Sequence, residues 1–193
     1  MHIRSELNIP MQNKVFLNVG TICERKNQFE IVKAIALIPK NIRELFSIVI
    51  VGDIELDYSK KIKKFITENA LKNVHLLKNQ KNINDYYSMS DFYISSTNSE
   101  SFPRALLTAM AFELPIISSK YNGIFEILYD ENYASFYKKN NLKNLSKKII
   151  DFLENSTSIN HKAGLSLSLV MRIYNLDRVI SHEIDSIKKM YYE

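Results

Sequence analysis

Two basic residues and one acidic residue stand where strand-ending loops could bring them together. Arg25-Lys26 follow the apolar run Val15-Phe16-Leu17-Asn18-Val19, which closes on Gly20. Glu100 follows a second run, Phe92-Tyr93-Ile94-Ser95, and precedes Phe102-Pro103 at the start of a helical pattern. A helix that begins just past a strand offers unpaired N–H groups and the positive end of its dipole, a cradle for an anion such as a diphosphate. Pro103 suits the first turn of such a helix. Lys26 would add a fixed positive charge at the same edge. Taken singly these features are bland: α/β domains have many helix starts, and exposed basic pairs and loop glutamates are common.

Other chemistries find less support. Asp53-Ile54-Glu55-Leu56-Asp57 alternates carboxylates in a way that could hold a divalent cation, but no further ligand set accompanies it. His2, His75, His161 and His182 are scattered and Cys23 is alone, so neither a zinc site nor a Cys–His nucleophile is indicated. Phosphorylation of a receiver-type domain would need an aspartate at the end of the first strand, where Asn18-Val19-Gly20 stands instead.

The elements that must position Lys26 and Glu100 alternate regularly. Val15–Val19, Ser47–Gly52, Val74–Leu77, Phe92–Ser95 and Pro115–Ser118 read as strands, being short apolar runs bounded by turn residues. Between them, Phe29, Val32 and Ala36, then Ile62, Phe65, Ile66 and Ala70, then Ile83 to Met89 and Ala105 to Phe112 read as helices. Continuously apolar strands separated by amphipathic helices predict an α/β fold, a doubly wound Rossmann-like parallel sheet covered on both faces. Ligands of such sheets bind beyond the carboxyl ends of the strands, in loops 20–27, 52–58, 78–82, 96–103 and 118–123. From 140 to 193 the pattern is helical, with helices near 142–152, 160–170 and 175–191.

The 193 residues, 46% hydrophobic and 24% charged, suit one globular domain over 1–193. A net charge of +5 is spread along the chain, as in Lys60-Lys61-Ile62-Lys63-Lys64, and lacks the basic stripe with interleaved aromatics that nucleic acid requires. One cysteine excludes an internal disulfide, and the start Met1-His2-Ile3-Arg4 has no signal-peptide pattern. No apolar stretch approaches the roughly 20 residues of a membrane helix. A cytoplasmic location is expected, with any membrane contact peripheral, at the inner face.

Ser99-Glu100-Ser101-Phe102-Pro103-Arg104-Ala105-Leu106-Leu107-Thr108-Ala109-Met110-Ala111, running on to Leu114-Pro115-Ile116-Ile117, resembles a signature of the retaining glycosyltransferases of family four. Leu17-Asn18-Val19-Gly20 with Glu24-Arg25-Lys26-Asn27, Ile50-Val51-Gly52-Asp53 and Asn122-Gly123-Ile124-Phe125-Glu126 follow in the order that family has, and Tyr174–Val179 is similar to the lead-in of its closing helix. The resemblance implies the donor-binding half of a GT-B enzyme. Lys26, helped by Arg25, would neutralise the donor's diphosphate; Glu100 would accept hydrogen bonds from the donor sugar; Gly20, Ser101, Phe102, Pro103 and Arg104 would complete the nucleotide-sugar site. The substrate would be a UDP- or GDP-linked sugar, transferred with retention to a glycan or lipid-linked acceptor, without a metal or other cofactor, in an assembly such as that of lipopolysaccharide. An amino-terminal acceptor domain would precede this half, supplied here by a separate polypeptide if the chain is a natural subunit, and the helix at 175–191 would cross onto it; activity without it is not expected.

Four positions depart from the family pattern. Thr108 stands where a second glutamate takes both ribose hydroxyls, Thr21 where arginine often follows the glycine, and Ser101 and Glu113 where glycine is usual. Losing the charged acceptor at 108 should weaken nucleotide binding by roughly 1.5–3 kcal/mol. If Glu113 takes a left-handed conformation, it costs about 1–2 kcal/mol. A non-catalytic or degenerate nucleotide-sugar-binding module, or a gene fragment, therefore stands beside the enzyme reading.

Overall fold

The structure, a computed structural model, describes residues 2–53, 56–121 and 123–173. After helix α1 (His2–Glu6), strand β1 (Lys14–Val19) leads to α2 (Gln28–Ala36) and the short α3 (Lys40–Arg43). Strand β2 (Phe46–Val51), α4 (Leu56–Glu68), β3 (Val74–Leu77), α5 (Ile83–Ser88) and β4 (Phe92–Ser95) continue the alternation. It ends with α6 (Arg104–Ala111), β5 (Ile116–Ser119), α7 (Ile124–Ile127), β6 (Ser135–Tyr137), α8 (Leu142–Glu154) and α9 (Ser156–Ile173).

All pairings are parallel and the strand order is β3-β2-β1-β4-β5-β6. Successive side chains of a strand point to opposite faces, so the unbroken apolar runs feed two cores at once. Phe16, Ile48, Ile50, Ile94 and Ile117 pack under α2, α4 and α8 through Ile31, Ile35, Ile62, Leu145, Ile149 and Phe152. Val15, Leu17, Val49, Val51, Tyr93 and Ile116 pack under α6, α7 and α9 through Leu106, Met110, Ile124 and Leu169. This is the doubly wound sheet that the alternation predicts. The chain reverses its direction of winding between β1 and β4, which are neighbours although three strands apart in sequence. Their carboxyl ends therefore open onto the crevice where such sheets bind ligands.

The structure adds elements that hydrophobic periodicity does not show. β6 has three residues and, among the described residues, pairs only with β5; α1, α3 and α7 have four or five residues each. Runs this short carry no period. The second-last predicted helix is longer than read, running from 156 to 173, and the one at 175–191 lies outside the described residues. No described helix is long and apolar enough to cross a membrane.

Candidate donor site at the carboxyl edge of the sheet

The loop after β1 is built by close backbone approach. Gly20 has φ 147° and its N–H donates to Val51 O at 2.9 Å. Opposite it, a Cβ on Gly52 would stand 1.9 Å from Gly20 O, so only glycine lets the β1 and β2 loops touch. The Lys26 side chain lies over Gly20, its Cε 3.4 Å from where a Cβ would stand, an ordinary van der Waals contact. The carbonyls of this loop are taken by the loop after β4. Asn98 reaches Glu24 O through Nδ2 and Arg25 O through its N–H, at 2.9 and 2.8 Å, and buried Ser96 Oγ lies 2.9 Å from both Lys26 O and Asn27 O. The segment that carries the cations is thus fastened to the segment that carries Glu100.

Those residues meet. Lys26 Nζ donates to Glu100 Oε2 at 2.5 Å, and both side chains are largely buried, 12% and 17% exposed. Arg25 is half exposed, with Nη1 3.9 Å from Glu100 Oε1 and 3.2 Å from Ser99 O, to which it donates. Arg25, Ser99, Glu100, Ser101, Phe102 and Arg104 line an open cavity of about 580 Å³. Ser101 and Arg104 are exposed at its rim, and Phe102 presents 49% of its surface.

Two sequence expectations at α6 need correction. Pro103 is not in the first turn but caps the helix, with φ −82° and ψ 71°, because the chain must still turn out of the loop at that residue. The donors at the helix start are also less open than expected: Arg104 N–H is drawn to Phe102 O and Leu106 N–H to Pro103 O, both at 3.0 Å. Thr108 lies one turn further in, does not line this cavity, and donates its hydroxyl to Arg104 O at 3.0 Å. Among the described residues, no three His, Cys, Asp or Glu side chains cluster as metal ligands.

A support that sequence reasoning missed lies behind Lys26. Glu30, in the first turn of α2 and 1% exposed, accepts from Asn27 Nδ2 at 2.8 Å, Asn140 N at 2.7 Å and Tyr137 Oη at 3.3 Å. It holds Asn27 in the left-handed conformation, φ 52°, from which α2 departs. Burial raises its pKa, against the lowering effect of these hydrogen bonds and of Lys33 and Lys139. Glu30 sits in an apolar helical pattern, and two of its three partners, Tyr137 and Asn140, are over a hundred residues away, so sequence spacing gives no sign of them.

Sheet order, helix placement and a crevice at the strand reversal define a Rossmann-like α/β domain of the GT-B kind. The chain belongs to the glycosyl transferases group 1 family, whose pattern matches residues 2–164. It is 29% identical over 121 residues to the capsular polysaccharide biosynthesis glycosyltransferase CapH of Staphylococcus aureus, covering 62% of this chain and 34% of that protein. Its fold matches the Anabaena protein Alr3699/HepE, solved in complex with UDP and glucose, with a TM-score of 0.87 at 18% identity over 97% of this chain and 51% of that one. It also matches the C-terminal domain of a group 1 family glycosyl transferase (LpcC) of Francisella tularensis, TM-score 0.75 at 18% identity, over 89% of this chain and 91% of that domain. The chain spans 30% to 48% of the length of the curated relatives it matches.

Proposed function

We propose that the chain is the donor-binding half of a retaining glycosyltransferase that uses a UDP- or GDP-linked sugar. The observation that carries this reading is the Lys26–Glu100 pair, held at the carboxyl edge of the sheet beside the start of α6. A bound diphosphate would draw Lys26 and Arg25 to its oxygens and release Glu100 to accept from the sugar's hydroxyls. The bond between the anomeric carbon and the phosphate oxygen then breaks, an acceptor oxygen bonds to that carbon on the same face, and the acceptor's proton passes to the leaving phosphate. Lys26 offsets the charge that builds on that phosphate, a role that needs no metal. The acceptor side would come from an amino-terminal half, in glycan or lipid-linked glycan assembly, at a cytoplasmic membrane face.

A degenerate binding module is the second reading, favoured by Thr108: it donates its hydroxyl to Arg104 O and places no charged acceptor for a ribose at that position. Calorimetric titration with UDP, GDP and their common sugars tests both. Binding by wild type that is lost in Lys26→Ala supports the donor half; no binding by wild type, restored by Thr108→Glu, supports the degenerate module.

A further inference from the structure

Close to Glu100 lies a second side chain whose polar group has no visible use. Tyr121, in the loop between β5 and α7, is 5% exposed, and its hydroxyl is buried without a hydrogen-bond partner among the described residues. Native proteins rarely keep such a group, and one that persists calls for a second state, a ligand or a water that satisfies it. Its loop is pressed against that of Glu100: a Cβ on Gly123 would stand 2.8 Å from Glu100 O. Burial, and then the charge of Glu100, raise the pKa of the Tyr121 hydroxyl, so it stays protonated at neutral pH and available as a donor.

The partners of Glu100 in this state are the two cations, Lys26 and Arg25. On the donor-binding reading, on which this inference rests, a diphosphate takes both of them. The carboxylate then loses its counter-charges just as it must keep a fixed direction toward the sugar. The geometry points to Tyr121 as the positioning residue that takes over Glu100, donating its hydroxyl to the carboxylate once Lys26 has turned to the diphosphate. The exchange lowers the cost of separating Lys26 from Glu100, and leaves the remaining acceptor sites of the carboxylate for sugar hydroxyls.

The diphosphate itself does not require Glu100, so the coupling can be read with sugar-free ligand. The full chain is titrated with UDP and with GDP as wild type, Tyr121→Phe, Glu100→Ala and the double variant, and each is melted without ligand. Tyr121→Phe should weaken the better-bound diphosphate about tenfold, have no effect in the Glu100→Ala background, and leave the ligand-free Tm unchanged or raised, since it deletes an unpaired buried hydroxyl. An equal loss in both backgrounds, no loss in either, or a lowered ligand-free Tm overturns the positioning role while leaving the donor site standing. Failure of wild type to bind either diphosphate overturns the donor reading and this inference with it.

Discussion

Lys26 and Glu100 stand 74 residues apart in sequence and form one ion pair. Removing Lys26 takes away a charge-assisted contact to the diphosphate worth about 1.5–3 kcal/mol, so Lys26→Ala should lose ten- to hundredfold in nucleotide affinity by calorimetry. Thr108→Glu should gain a similar factor, provided the new carboxylate turns outward from Arg104 O, where the threonine hydroxyl now bonds. The residue types of this site were legible because the signature around Glu100 is contiguous. Its supports were not: Ser96, Asn98 and Glu30 act through backbone carbonyls and distant loops, which no local pattern records. Glu30 allows a separate test. A carboxyl whose folded pKa lies above its unfolded value contributes stability that is fully present below the unfolded value, near 4.5, and is lost as pH rises through the folded value. The wild-type unfolding free energy should therefore fall, relative to Glu30→Gln, as pH rises above about 4.5; parallel curves from denaturant titrations would show that Glu30 carries no such proton linkage.

The long elements follow from alternation, since a buried parallel strand is a short apolar run and its crossover helix has one apolar face. The same logic passes over β6 and the three shortest helices, which are held by contacts rather than by their own pattern; β6 is placed by pairing with β5 and by Tyr137, buried against Glu30. Glu113 and Gly52 sit at the junctions that join these elements. Glu113 ends α6 with φ 54°, the left-handed conformation that costs a non-glycine residue roughly 1–2 kcal/mol. Glu113→Gly should stabilise the fold, by less than that because glycine is also freer when unfolded, and a rise in the denaturation midpoint would show it. Gly52→Ala should act oppositely. With Gly20 O 1.9 Å from the new methyl, the β1 and β2 loops must part, at a cost toward the upper end of the roughly 1–3 kcal/mol of overpacking. Because that parting also shifts Gly20 away from Lys26, the variant should lose nucleotide affinity even where it remains folded.

Across the whole molecule, the candidate site is made by loops from β1, β4 and β5, strands that lie side by side at the centre of the sheet between the two cores. A ligand that bridges these loops contacts only the folded arrangement, because in the unfolded chain Lys26 and Glu100 are far apart. Binding must then stabilise the folded state by mass action, about 2.7 kcal/mol at a hundredfold excess over the dissociation constant. For a chain of this size that corresponds to a rise in Tm of about 5–10 °C. The donor-half reading expects that rise with a UDP- or GDP-linked sugar on the chain by itself, before any acceptor or amino-terminal half is added, since the groups assigned to the donor all lie in this chain. Lys26→Ala should remove the shift measured against its own ligand-free Tm, which should itself fall, because Glu100 then keeps a largely buried carboxylate without its lysine partner. A Tm that no nucleotide sugar moves, at concentrations up to the millimolar range, in a chain that gains the shift on Thr108→Glu, would instead identify a domain that keeps the fold of the family and has lost its donor.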